Sequence, residues 1–133
     1  MSKFVLDACA LLALIRGEHG ADIVKNTIGS DAKIYLHSVT TLEIYYNLAK
    51  ELGIDSANVF FDWLRQTKII IIYEITEDTI KDAGYFKCKY KISLGDSFVL
   101  AIAKSYDAKV LSSDHHEFDV VEKSENINFA WFR

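Results

Sequence analysis

An ionisable acid, Asp7, interrupts the apolar run KFVLDACALLALI. Burying an ionised carboxylate without a partner costs several kcal/mol, so such a group neutralises, pairs or binds a cation. Three more acids stand at the edges of apolar segments: Glu43 in SVTTLEIYYNL, Asp96 in SLGDSFVLAIA and Asp114 in KVLSSDHHEF. Carboxylates brought together repel one another, and a hard divalent cation relieves the repulsion. Oxygen-only ligands favour Mg²⁺ or Mn²⁺ over zinc. An ion held in this way activates water and stabilises charge on a phosphoryl group during in-line displacement, which is the chemistry of phosphodiester hydrolysis.

Each acid also has a purely structural reading. Thr40 precedes Glu43 by three residues and Ser93 precedes Asp96 by three, both in the pattern of a capping box. Asp114 fits the cap of a short helix or turn, and Asp7 fits an N-cap. Four acids at one rim make four independent caps the less economical account.

The elements that must position these acids follow from the patterning. KFVL, KIYLH, KIIIIYEI, AKVLSS and NINFAWF read as strands. The isoleucine run makes KIIIIYEI the clearest of them, and suits a strand covered on both faces. ACALLALI is apolar on every side and reads as a buried helix, broken by RGEHG and followed by a helical ADIVKNTI. SVTTLEIYYNLAKEL reads as a helix with Leu42, Tyr45, Tyr46, Ala49 and Leu52 on its apolar face, ended by Gly53. DSANVFFDWLRQT follows, capped by Asp55 or Ser56, then TEDTIKDAGYFKCKY capped by Thr76, then the apolar GDSFVLAIAKSY. Alternating strands and helices predict an α/β fold, with helices on both faces of a mainly parallel sheet of about five strands. In such folds strand C-terminal ends and helix N-termini gather at one rim, where ligands bind at the point of strand-order reversal. Asp7, Glu43, Asp96 and Asp114 are all expected at that rim.

The chain of 133 residues, half of them hydrophobic, is read as one domain over residues 1–133. It has no proline, no low-complexity run and no fixed-period repeat. Lys3 and the following apolar residues outline a signal peptide, but Asp7 interrupts the apolar segment and RGEHG is a poor cleavage region. With no run approaching a membrane span, the chain is read as soluble and uncleaved. Cys9 and Cys88 make neither a disulfide framework nor a zinc motif, which fits a reducing cytoplasm. The formal net charge of −4 argues against general electrostatic binding of nucleic acid. Without the four acids the remainder is neutral, so a polyanionic substrate is compatible with it.

These residues resemble the PIN-domain ribonucleases, many of which are the toxin halves of VapC-type toxin–antitoxin pairs. The resemblance is carried by FVLDACALLALI, SVTTLEIYYNL, KYKISLGDSFVLAIAK and AKVLSSDHHEFD, in that order and spacing, over nearly the whole chain. It implies a three-layer α/β/α sandwich and a Mg²⁺ or Mn²⁺ site lined by Asp7, Glu43, Asp96 and Asp114 that cleaves RNA to 5′-phosphate and 3′-hydroxyl ends. Asp7 and Asp96 are the implied direct ligands, with Glu43 and Asp114 completing the site. The resemblance also implies a homodimer and an antitoxin partner. Cys9 departs from the Ser, Thr or Asn usual two residues after the first acid, and Gly95 from a frequent Pro. The Asp114–Phe118 spacing is one residue longer than usual, which makes Asp119 a reserve acid. Ser112 stands where Thr is common and is expected to orient Asp114 or a water.

Other features carry weaker signals. Lys87, Lys89 and Lys91 lie close in sequence to Asp96, with Tyr85, Phe86 and Tyr90 interleaved, as phosphate-binding and base-stacking groups would. Alternatively they form a solvated face over core aromatics. His115 and His116 lack partners at zinc spacing and read as an exposed loop, with His115 a substrate-contact candidate beside Cys9, Ser112, Lys89 and Lys91. His19 and His37 carry no signal above surface or packing roles. Phe60, Phe61, Trp63, Tyr45 and Tyr46 are mostly core, with a surplus available for a dimer or antitoxin face. A thiol enzyme is unsupported, because no His–acid pair accompanies either cysteine. Two rivals share the fold: a non-catalytic binding module, and a DNA nuclease using the same metal logic.

Overall fold

In the computed structural model, which describes residues 2–133, twelve elements follow one another, the eleven expected and a seventh helix, α7, where DHHEF reads as an exposed loop. They are β1 (Lys3–Leu6), α1 (Ala8–Arg16), α2 (Ala21–Ile28), β2 (Lys33–His37), α3 (Ser38–Leu52), α4 (Ile54–Gln66), β3 (Ile70–Ile72), α5 (Glu77–Lys89), α6 (Leu94–Tyr106), β4 (Lys109–Ser112), α7 (His115–Ser124) and β5 (Phe129–Trp131). The sheet is parallel throughout, in the order β3-β2-β1-β4-β5. The chain works outward from β1 to β3, then returns to the other side of β1 with β4. Strand order therefore reverses between β1 and β4, where the reasoning from topology places a ligand site. Pairing of Leu6 with Leu111 brings Asp7 and Ser112 to the same level of that rim.

Both faces of the sheet are covered. Leu6, Ile34, Leu36 and Leu111 pack with residues of α1 to α4. Their strand neighbours Val5, Tyr35 and Val110 pack on the other side with Phe86, Leu100, Ile102, Phe118 and Val121 of α5 to α7. Successive strand residues point to opposite faces, so strands buried on both sides carry unbroken apolar runs. The expected three layers are present. Among the described residues no helix is long and apolar enough to cross a membrane.

Three expectations need correction. KIIIIYEI is not a strand covered on both faces. Only Ile70–Ile72 pair, on the sheet edge, and Ile70 is 42% exposed. An apolar run does not distinguish a central strand from an edge one. The ladder stops where β2 stops, because His37 Nε2 and Ser38 Oγ take the carbonyls of Glu74 and Tyr73 instead.

The buried side of α3 is Thr40, Thr41, Ile44 and Leu48, while Leu42, Tyr46 and Leu52 of the expected face lie exposed. With no loop between β2 and α3, the strand's last residue sets the phase of the helix. Thr41 is accommodated inside because its hydroxyl donates to the His37 carbonyl at 3.0 Å. Finally, α4 is capped by neither Asp55 nor Ser56. Gly53 ends α3 and starts α4 in one step at φ 97°, a conformation that favours glycine.

His37, read as unremarkable in sequence, is fully buried at this junction. Its Nδ1 accepts from Val39 N at 3.0 Å, capping α3. That leaves the proton on Nε2, which donates to the Glu74 carbonyl at 3.0 Å. The ring stacks on Phe98 with centroids 5.0 Å apart. Burial lowers its pKa. The unfolded chain therefore binds the extra proton first, and the stability His37 provides is present above the unfolded value of 6.5 and lost as pH falls below it. His37→Ala is expected to cost about 2–4 kcal/mol, through a lost cap, a cavity and an unpaired carbonyl. His37→Asn, which keeps a capping acceptor, is expected to cost less. Urea unfolding at pH 7.5 and pH 5.5 measures both effects.

Candidate active site

The C-terminal rim of the sheet opens into a cleft of about 290 Å³ lined by Asp7, Glu43, Asp96, Asp114 and a fifth acid, Glu117. Among the described residues no basic side chain lines it. All four acids expected to meet do so.

Asp7 follows β1 directly and is only 2% exposed. It caps α1, with Oδ1 accepting from Ala10 N at 2.9 Å. The Cys9 thiol donates to Oδ1 and Oδ2 at 3.0 and 2.9 Å, and the buried Ser112 hydroxyl donates to Oδ2. Burial outweighs these bonds and raises the Asp7 carboxyl from 3.8 to about 6. Burial and the neighbouring Asp7 charge push the Cys9 thiol up to about 12, so it stays protonated and donating. That chemistry leaves no nucleophilic thiolate. Ser112 Oγ also accepts from the backbone N–H of Asp114 at 2.9 Å.

Glu43 lies in the second turn of α3, not the first. His37 caps that helix and Thr40 sits inside it, so the capping-box reading of Thr40 and Glu43 fails. Glu43 is half-buried, and its carboxylate rests against Gly95, in the space a side chain at that position would fill. Burial, then the charge of Glu117, raises its pKa.

Asp96 lies in the first turn of α6, capped by Ser93, whose Oγ accepts from Asp96 N at 3.1 Å. The return half of the capping box is made by another residue: Ser93 N donates to Glu117 Oε2 at 3.3 Å. The Asp96 side chain is thereby left to the cleft. Burial raises its pKa strongly, followed by a hydrogen bond to Glu117 and the charges of Glu117, Asp7 and Asp114. Asp114 is both cap and cleft residue, since its Oδ1 accepts from Glu117 N at 3.1 Å to start α7.

Other candidates stand elsewhere. Lys89 pairs with Glu125 at 3.0 Å, and Lys91 is exposed between α5 and α6. His115 turns away from the cleft onto Trp131, with ring centroids 3.8 Å apart. Its Nδ1 meets Asp119 at 2.8 Å, so the reserve acid faces His115 and not the other acids. Glu117 was missed because DHHEF reads as an exposed loop, whereas it starts the ten-residue helix α7. Its place three residues after the Asp114 cap, the fourth position of a capping box, was the available signal.

The model of the PIN domain family matches residues 4–124, and the chain belongs to that family. Solved structures share its fold at low identity. A chain of the VapBC complex of Salmonella typhimurium, bound to DNA, superposes with a TM-score of 0.73 at 16% identity and 100% coverage of both chains. A chain of VapBC2 from Rickettsia felis, bound to a fragment of its promoter, gives 0.75 at 12% identity, covering 97% of this chain and 98% of that one. VapC20 of Mycobacterium tuberculosis, described as a toxin cleaving the sarcin–ricin loop, gives 0.66 at 15% identity, covering 80% and 85%. No curated protein matches the sequence.

Proposed function

We propose that this PIN-domain protein is a divalent-metal-dependent ribonuclease, the toxin of a toxin–antitoxin pair. The observation that carries the reading is the cleft itself. Carboxylates from four distant segments converge at the strand-reversal point with no basic residue to neutralise them. The donor set is all oxygen, which fits Mg²⁺ or Mn²⁺. Asp7, Glu43, Asp96 and Asp114 would hold the ion. When bound, it would supply an activated water and charge stabilisation at the phosphoryl group.

The chain's own residues set the geometry for that chemistry. Ser112 links the two sides of the rim, donating to Asp7 while accepting from Asp114 N. The α1 cap and the Cys9 thiol hold the Asp7 carboxylate in one orientation. Asp96 is presented by a helix start whose capping is done by Ser93, so its own oxygens are not needed for it. Gly95 gives Glu43 its seat.

Toxin–antitoxin biology is supported by the solved VapBC complexes of the same fold. An RNA target is supported by the mycobacterial relative described as cleaving the sarcin–ricin loop. Exposed Leu42, Tyr46 and Trp63 offer apolar surface for a homodimer or an antitoxin. The free cysteines fit a cytoplasmic location.

Incubating the protein with a structured RNA pool and a matched DNA pool, each with Mn²⁺, tests substrate and products. RNA fragments bearing 5′-phosphate ends, with DNA intact, are expected. Equal cutting of DNA would reassign the substrate, and intact RNA would favour a non-catalytic module. Gly95→Ala separates the seat of Glu43 from the fold. A Cβ there collides with the mobile end of Glu43, not with backbone. Thermal melts are expected to show unchanged stability or a gain of up to about 1 kcal/mol, as for Gly→Ala in a helix. Cleavage is expected to fall about tenfold, since about 1.4 kcal/mol of misplacement suffices.

A further inference from the structure

The family resemblance implies four acids in the cleft, and Glu117 is not one of them. Yet the described residues contain one group of three carboxylates able to offer oxygens within 4.8 Å of one another, and it is Asp96, Asp114 and Glu117. Opposite ligands of an ion with bonds of about 2.1 Å lie about 4.2 Å apart, so this group needs little closing to hold one. Asp7 and Glu43 stand outside it. Both Asp7 oxygens already accept hydrogen bonds, from Ala10 N, Cys9 and Ser112. The Glu43 carboxylate is drawn onto Gly95.

Glu117 is also fixed in place from two directions. Its backbone N–H is bound by Asp114 Oδ1 at 3.1 Å, and its Oε2 accepts from Ser93 N at 3.3 Å. It thus ties the start of α7 to the start of α6, the two helices that carry Asp114 and Asp96. A charge at Glu117 is felt by Glu43 and Asp96 alike. With no basic side chain in the lining, a cation is the counter-charge such an arrangement calls for.

We infer that Glu117 is a direct ligand of the divalent ion together with Asp96 and Asp114, and that Glu43 acts on the ion through water from its seat at Gly95. This rests on the reading of the cleft as a divalent-metal site, and extends it to a fifth acid in a direct role.

The test is Mn²⁺ binding to the full chain, followed by calorimetry and by loss of the free-Mn²⁺ paramagnetic resonance signal, without any substrate. Wild type is compared with Glu117→Gln, Glu43→Gln and, as a control on the same helix, Asp119→Asn. Gln can still accept from Ser93 N. Glu117→Gln is expected to weaken Mn²⁺ at least about tenfold, and Glu43→Gln by less, while Asp119→Asn stays within about twofold. Should Glu117→Gln lose its cooperative melt in chelator, Glu117→Asp replaces it, keeping the charge but drawing the oxygens back by one methylene. The same weakening is expected there. Binding by the position-117 variant equal to that of Asp119→Asn would overturn the inference and leave the metal site standing. A larger loss from Glu43→Gln than from the position-117 variant would also overturn it. Absence of Mn²⁺ binding by wild type would overturn both the inference and the reading beneath it.

Discussion

Asp96→Asn is expected to abolish metal-dependent RNA cleavage while making the metal-free protein more stable. The two effects have one cause. Asp96 is 9% exposed and faces Glu117, Asp7 and Asp114. Without a cation its ionised form is disfavoured by burial and by like charge. Asn occupies the same space, leaves the Ser93 cap on the backbone intact and removes the repulsion. A gain of about 1–3 kcal/mol in chelator, or several degrees in Tm, is expected by thermal melting. Loss of a ligand worth several kcal/mol in charge stabilisation is expected to lower kcat at least about 10³-fold. Asp7→Asn is expected to lose cleavage in the same way but to gain less stability, because an amide nitrogen in place of Oδ2 cannot accept from Cys9 and Ser112. Reduced stability of Asp96→Asn in chelator would show that this acid serves the fold and not a site.

Mn²⁺ should raise the Tm of the wild-type protein strongly at pH 8 and much less at pH 5.5. At a hundredfold excess over its Kd, a ligand of the folded state adds about 2.7 kcal/mol, near 10 °C for a chain of this size. The pH dependence follows from the acids' raised values. The folded protein keeps protons on Asp7 and Asp96 that the unfolded chain has released above 3.8. In chelator these groups therefore subtract stability progressively as pH rises through their folded values. Mn²⁺ must displace those protons at pH 5.5, below the Asp7 value of about 6, and finds Asp7 mostly ionised at pH 8. His37, which loses stability on the acid side, contributes equally with and without metal and cancels in the difference. A Tm shift that is larger at pH 5.5 would contradict this distribution of protons.

Much of the fold was legible because local and global signals agree. The bounds of β1, β2 and α3 match their apolar segments, and the Thr76 and Ser93 caps stand where their residue types put them. Asp7 was legible as a candidate for the cleft it lines because an acid in an apolar run has few innocent explanations. What sequence hid depended on partners far along the chain. The α3 helix has two apolar stripes, and only its direct junction with β2 decides which one is buried. The isoleucines of β3 look central because sequence does not report that β2 is their only neighbour. Glu117 looked like surface charge because its contacts come from Ser93 and Asp96, more than twenty residues earlier. His37 looked inert because its value lies in geometry, an acceptor toward Val39 and a donor toward Glu74.

The most direct test of the central claim is cleavage of a structured RNA pool by the purified wild-type protein. It is run with Mn²⁺, with Mg²⁺, with chelator, and after Mn²⁺ is restored to the chelated sample, beside Asp7→Asn and Asp96→Asn. The expected result is cutting with either ion, loss in chelator, recovery on restoration, and none from the variants. Cutting that survives chelation, or that the two variants share with wild type, would contradict a metal-dependent ribonuclease site built on these carboxylates.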